Sequence, residues 1–376
     1  MIGTRIKRIA PALLVLAASV LLAACGSSDK SSSSTGGSSA AASSSTTAAG
    51  GAKTVGLLLP ETKTARYEAH DKPVFQAKVK QLCPDCKQLY QNASQDAQKQ
   101  LTQAEAMLAS GVNVLVLDAV DVGSVGPIIK EAQKKNVPVI AYDRLISDQP
   151  IAYYVSFNNV RQGRVQAQTL VDKIGKSKPI IMINGAPTDP SAGDYKNGAH
   201  QVFDKALTIK KEFDTPDWSP DKAQREMEQA ITAVGKNGFA GVYSANDGMA
   251  SGAIAAMKGA GIDPKTRPIT GGDAELAAIQ RIVSGEQYST IYLTINKQAE
   301  AAAELAVAAA TGKAAPAGLV NGKTDNGALQ VPSVLLTPVA VTKTNIADTV
   351  VKDGFYKPSE ICTGKYAAGC KQIGLM

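Results

Sequence analysis

Pro138-Val-Ile-Ala-Tyr-Asp-Arg-Leu-Ile146 decides how the chain folds. An apolar, β-branched run ends abruptly in an adjacent carboxylate and guanidinium, Asp143 and Arg144. A continuous apolar run belongs to a strand buried on both faces, as in a parallel sheet, and open α/β sheets bind ligands beyond the carboxyl ends of their strands. Aspartate accepts from two hydroxyls at once and arginine donates through a planar fork, so the pair suits a polyhydroxylated, uncharged molecule such as a sugar. The plain alternative is a surface ion pair that closes a strand.

Working outward, short apolar runs alternate with helical stretches. Strands are expected at 55–59, 88–91, 112–117 and 137–142, with helices at 65–81, 95–110 and 125–136 between them. The alternation then starts again, with strands at 153–157, 179–184, 209–213, 241–244, 268–271 and 289–292. Helices are expected at 160–174, 194–205, 220–234, 248–259, 274–284 and 296–311, and a proline-bearing strand-like stretch at 329–341. Alternation without hairpins implies right-handed βαβ units and parallel sheets. The fold class is therefore α/β, with two Rossmann-like doubly wound lobes.

Several strand ends carry the same chemistry as the first: Asp189, Asn246 with Asp247, and Asp273 each follow an apolar run. Together they would surround sugar hydroxyls with acceptors and donors, while Trp218, the only tryptophan, would cover the apolar C–H face. Any one of these residues taken alone reads as a turn or helix cap. The set is what points to a ligand.

Composition narrows the function classes. With 376 residues, 44% hydrophobic and 19% charged, the chain is long enough for two domains. The net charge of +7 includes Arg5, Lys7 and Arg8 of a segment expected to be removed; without them 37 bases face 33 acids, with no basic block, so nucleic acid is not an expected partner. The two histidines, His70 and His200, lack ligand spacing, and no metal or cofactor is expected. No Walker loop or Gly-x-Ser-x-Gly elbow is present, and no nucleophile-base pair supports an enzyme.

Residues 1–24 read as a secretory signal: a basic start, an apolar run too short for a membrane span and a small-residue end. Leu22-Ala-Ala-Cys25 resembles the bacterial lipobox, which implies lipidation of Cys25 and anchoring to the outer face of a membrane. Residues 25–52 are a Ser-, Ala- and Gly-rich flexible tether. Export suits disulfides, and the remaining cysteines fall into close pairs, Cys83 with Cys86 and Cys362 with Cys370. Cys83-Pro-Asp-Cys86 also has the spacing of a redox motif, but it follows a helical pattern rather than a strand.

The motifs Val137–Ile146, Tyr154-Val-Ser-Phe-Asn-Asn159, Ser244-Ala-Asn-Asp-Gly248, Gly271-Gly-Asp-Ala-Glu-Leu276 and Val331–Pro338 resemble the D-xylose-binding receptors of bacterial ABC sugar importers. More broadly they are similar to the ribose and galactose receptors of the type I periplasmic binding protein class. The resemblance, from about residue 54 to 360, implies a three-segment hinge and one sugar enclosed between the lobes. It divides the chain into a first lobe at 53–156 with about 295–331, and a second lobe and tail at 157–294 with 332–376. It implies ligand roles for Asp143, Arg144, Asp189, Trp218, Asn246 and Asp273, with Lys196 in place of an arginine and Arg66-Tyr67 near an arginine-aromatic pair. Leu293 stands where a lysine is expected, Gly272 where a glutamine is usual, and Pro190-Ser191 replaces an asparagine pair. The implied protein is a monomeric lipoprotein that gives a monosaccharide, xylose or a related aldose, to ABC permease subunits. A sensory receptor for a sugar-like signal is the alternative. A repressor effector domain of this fold conflicts with the lipobox and the lack of a helix-turn-helix.

Overall fold

The computed structural model describes residues 51–376; the expected signal, Cys25 and nearly all of the tether lie outside the described residues. In the first stretch the strands are β1 Thr54–Leu59, β2 Lys87–Asn92, β3 Val114–Leu117, β4 Val139–Tyr142 and β5 Tyr153–Phe157, with helices α1 Lys72–Leu82, α2 Ala97–Ala109 and α3 Gly126–Lys134. Next come α4 Asn159–Ile174, β6 Pro179–Asn184, α5 Pro190–Ala206, β7 Thr208–Asp214, α6 Pro220–Val234, β8 Gly241–Ser244, α7 Asp247–Gly259, α8 Leu276–Ser284 and β9 Ser289–Tyr292. The chain continues through α9 Ile295–Ala310, β10 Gly322–Asp325, β11 Gln330–Leu336 and β12 Val339–Thr342 to two short helices, α10 Pro358–Ile361 and α11 Ala367–Gln372.

The first sheet has the order β10-β11-β5-β4-β3-β1-β2, parallel except for β10 against β11. Its central strands β3 and β4 are buried at every residue, which is why they read as unbroken apolar runs. Phe75, Val79 and Leu305 of α1 and α9 cover one face and Leu108 and Ile129 of α2 and α3 the other. Each such side chain contributes ~1.5–3 kcal/mol by leaving water. The second sheet sets β7, β6 and β8 in parallel, and a separate two-stranded sheet pairs β9 with β12 antiparallel. Segment 268–273 joins these two parts: Ile269 bridges Val242, Tyr288 N–H donates to Ile269 O at 2.9 Å, and Ile291 N–H donates to Gly271 O at 3.1 Å.

Three short passages connect the sheets: Phe157 to Asn159, Tyr292 to Ile295, and Leu336 to Val339. The last differs from the expected division, because Ser333–Leu336 pairs with Tyr154–Phe157 and so keeps residues 332–336 in the first sheet. The expectation of no hairpin also fails. β10 and β11 form one around Asn326-Gly327, with Gly327 at φ +90°, and the polar Gly-Lys-Thr-Asp of β10 has no apolar alternation to announce it. The stretch expected at 329–341 splits at Pro338 into two strands of different sheets. At 268–271 the backbone makes a single bridge rather than a strand.

Both cysteine pairs are disulfides, Cys83–Cys86 in the turn between α1 and β2, and Cys362–Cys370 between α10 and α11. The second fixes a tail whose Phe355, Tyr356 and Ile361 pack with Ile279 and Tyr292.

Candidate functional site

The carboxyl ends of the two sheets face one another across a cavity. Thr64, Arg66 and Tyr67, after β1, and Asp143 and Arg144, after β4, line it from one side. Gln162, Asp189, Tyr195, Trp218, Ala245, Asn246 and Asp273 line it from the other.

On the first side, Arg66 makes a two-pronged contact with Asp71: Nε donates to Oδ2 and Nη2 to Oδ1, both at 2.9 Å. Its Nη1 donates to Asp143 Oδ1 at 3.1 Å and its Nη2 to Gln298 Oε1 at 2.5 Å. Gln298 Nε2 in turn donates to Asp143 Oδ1 at 2.9 Å, and the Tyr142 hydroxyl donates to Asp71. Asp143 Oδ1 is thus held twice within the protein. Oδ2 has no partner among the described residues and is free to accept from a ligand. Burial opposes the charge on Arg66, but Asp143 and Asp71 outweigh it and hold its pKa above the usual value.

Arg144 is 1% exposed, and its Nη1 donates to Ala119 O at 2.8 Å and Val120 O at 3.3 Å. Its Nε lies 3.0 Å from Asp189 Oδ2 and 3.4 Å from Asp118 Oδ1. Burial works against this guanidinium too, and Asp189 is the first of the groups that keep it charged.

Asp189 and Asn246 each do two things. Asp189 Oδ1 caps α5 by accepting from Ser191 N–H at 2.8 Å, while Oδ2 accepts from Trp218 Nε1–H at 3.1 Å. Asn246 Oδ1 caps α7 by accepting from Met249 N–H at 2.9 Å, which leaves its amide nitrogen for the cavity. A capping role therefore does not exclude a second role at the cavity. Burial raises the carboxyl pKa of Asp189, with Arg144 opposing, and raises that of Asp273 far more, with Arg66 the main opponent. Asp273 has no side-chain hydrogen bond among the described residues.

Backbone strain gathers at the same place. Asp143 (φ +62°), Trp218 (φ +53°) and Asp273 (φ +88°) all lie in the left-handed region, at a cost of ~1–3 kcal/mol each. Trp218 lies over Gly185, where an added Cβ would fall 2.0 Å from the indole, so only glycine lets the ring approach the strand end. The Tyr195 ring meets the indole edge-on at 6.3 Å.

Of the residues expected from sequence, Arg66, Tyr67, Asp143, Arg144, Asp189, Trp218, Asn246 and Asp273 come together at the cavity. Lys196 does not line it. Its Nζ lies 3.1 Å from both Glu212 and Asp214, because these carboxylates on edge strand β7 claim the ammonium. Leu293, 1% exposed, packs with Tyr292 and Ile295 and offers no donor. Gly272 has a counterpart in Gln162: a Cβ at 272 would be 3.4 Å from Gln162 Nε2, and the Gln162 Oε1 is buried with no partner among the described residues. Thr64, Gln162 and Tyr195 were not expected, since two lie inside helices with no strand end to mark them and Thr64 sits in a turn held by Glu61.

A family model for the periplasmic binding protein domain matches residues 55–314. Over 312 residues the chain is 36% identical to the D-xylose-binding periplasmic protein of Escherichia coli (strain K12), covering 82% of this chain and 92% of that protein. It is 32% identical over 331 residues to the multiple sugar-binding periplasmic receptor ChvE of Rhizobium radiobacter, with 82% and 92% covered. Among solved structures, an ABC transporter solute-binding protein from Clostridium phytofermentans with bound β-D-glucose superposes with a TM-score of 0.74 at 26% identity, covering 82% of this chain and 100% of that one. A carbohydrate transporter solute-binding protein from Chloroflexus aurantiacus, in complex with D-glucose, gives 0.73 at 25%, covering 81% and 97%. The chain belongs to the periplasmic binding protein domain family.

Proposed function

We propose that this protein is an extracytoplasmic receptor that captures one neutral monosaccharide and hands it to an ABC permease without chemical change. The observation that carries the reading is the cavity's donor and acceptor set: Asp143, Asp189 and Asp273 accept, Arg66, Arg144 and Asn246 donate, and Trp218 supplies an aromatic surface. Several fixed charges converging on one small cavity would be costly without a ligand rich in hydroxyls to satisfy them. Relatives matched over more than nine-tenths of their own length are named as binding D-xylose or multiple sugars, which supports an aldose. Xylose is the first sugar to try, and glucose, held by both solved neighbours described above, is the second.

The lobes close around the sugar by bending at the three passages, as two-lobed receptors do. The protein acts as a monomer held by a lipid on Cys25, the 25–52 tether giving it reach to a permease in the same membrane. Isothermal titration with D-xylose, D-glucose, D-ribose, D-galactose and L-arabinose tests the substrate class. Saturable 1:1 binding of at least one aldose is expected, and a panel without any binding would remove the sugar from this reading.

A further inference from the structure

Asp118 follows β3 with 0% exposure, and neither of its carboxylate oxygens has a hydrogen-bond partner among the described residues. A buried polar group left unpaired is costly, and a charged one more so, which makes this side chain the most anomalous group beside the cavity. It does not line the cavity. Its nearest cation is Arg144, whose Nε is 3.4 Å from Oδ1 but not aligned to donate.

The same Nε is 3.0 Å from Asp189. Asp118 and Arg144 follow adjacent paired strands, β3 and β4, so their closeness is built into one sheet. Asp189 comes from the other sheet. The loop that brings it rests on the segment after Asp118: Val122 N–H donates to Thr188 O, and Thr188 Oγ1–H donates to Val120 O, both at 3.5 Å. One guanidinium nitrogen therefore stands between a carboxylate of its own sheet and one from the other sheet, and two carboxylates share a single positive charge.

We propose that Asp118 couples sugar capture to the uptake of one proton: as Asp189 draws in on Arg144, Asp118 loses its share of the guanidinium and its carboxylate takes a proton from solvent. The charged and titratable groups around it agree on the direction. Arg144 and Arg66 favour its charged form, Asp143 and Asp189 oppose it, and Tyr67 adds a hydroxyl; burial dominates and pushes the carboxyl well above its usual range. The bound, closed state then holds more protons than the open one. By linkage, affinity rises as pH falls, and at alkaline pH the ionised Asp118 acts as a brake on closure.

This regulation rests on the sugar-receptor reading, and the experiment separates the two. Full-length wild-type protein and Asp118→Asn, which mimics the neutral acid, are titrated with D-xylose and D-glucose at about pH 5.5 and 7.5, in buffers of different ionisation enthalpy. Wild type should take up protons on binding at the higher pH. Asp118→Asn should take up fewer and bind about five- to tenfold tighter there, with the two proteins converging at the lower pH. Equal proton uptake in both, or weaker binding by the variant, overturns the proposal. If the variant does not fold, wild-type titration decides, since zero uptake overturns it alone. Small-angle scattering without sugar gives a readout that needs no ligand: at pH ~7.5 the variant should be more compact, as in a closed state, and identical profiles refute the coupling. A wild type that binds none of the sugars while its variant still compacts retains the brake and refutes the sugar.

Discussion

Arg144 Nε and Asp189 Oδ2 lie 3.0 Å apart, although one residue follows β4 of the first sheet and the other β6 of the second. This ion pair ties the two halves of the site together, and both members are almost fully buried, so solvent screens it little.

Asp189→Asn keeps an oxygen to cap α5 but replaces Oδ2, which accepts from Trp218 Nε1–H and faces Arg144, by an amide donor. A charge-assisted hydrogen bond contributes ~1.5–3 kcal/mol, so sugar affinity should fall by about tenfold or more. Calorimetric titration checks this; a variant binding as tightly as wild type shows the pair to be idle.

Asp143 and Asp273 test the acceptors themselves. Asp143 Oδ1 is already occupied by Arg66 and Gln298, so Asp143→Asn retains much of that network while replacing Oδ2, the acceptor offered to a ligand, by an amide donor. Affinity should drop about tenfold or more, and the melting temperature without sugar should change little, because Asp71 still holds Arg66. Asp273→Asn has no side-chain hydrogen bond to lose and should show the same pattern. Variants that melt early and bind normally would mark both residues as merely structural.

The sheets and the strand-end acids were legible because both leave local marks. β3 and β4 are unbroken apolar runs, Asp143 follows one directly, and Asp189, Asn246 and Asp273 come shortly after others. Asp118 follows Leu117 in the same way but has no neighbouring charged residue to draw notice. Gln162 and Tyr195 were not legible, since a helix residue facing a cavity has the same periodicity as one facing a core or solvent. Lys196 shows the limit of carrying a role over by position. The ammonium goes to the nearest acids, Glu212 and Asp214, and their placement on β7 depends on tertiary packing.

His200 lies between Asp204 Oδ1 at 2.9 Å and Glu212 Oε1 at 3.0 Å. Burial lowers its pKa, but the hydrogen bonds to Glu212 and Asp204 outweigh that and leave it raised. A histidine whose folded value exceeds the unfolded ~6.5 contributes stability that is complete below pH ~6.5 and is lost as pH rises through the folded value. The site is only partly buried, so solvent screens the pairs and the effect is small. The melting-temperature gap between wild type and His200→Gln should be widest near pH ~5.5 and close by pH ~8.5; a gap that does not change with pH excludes the ion pairs as its cause.

Cys25 governs location. Cys25→Ser should move the exported protein from the membrane fraction to the soluble one, with sugar affinity unchanged because the residues lining the cavity run from Thr64 to Asp273. Continued membrane retention of the variant would refute acylation at this position.

Trp218 reports on capture and substrate class together. It is the only tryptophan in the chain, its N–H is bonded to Asp189, and its ring borders the cavity. A sugar that displaces water from the indole must alter its emission, and the change should saturate with the occupancy measured by calorimetry. Ligand that binds only the folded state also raises the melting temperature, by an amount that follows concentration over Kd. Trp218→Phe keeps an aromatic face but loses the hydrogen bond to the Asp189 carboxylate, so binding should weaken by about tenfold or more, consistent with ~1.5–3 kcal/mol for one hydrogen bond to a charged group. If an aldose raises the melting temperature while Trp218 emission stays constant, the sugar binds elsewhere than in this cavity. If a non-sugar metabolite changes both and no aldose changes either, the cavity is the site and the monosaccharide assignment is wrong.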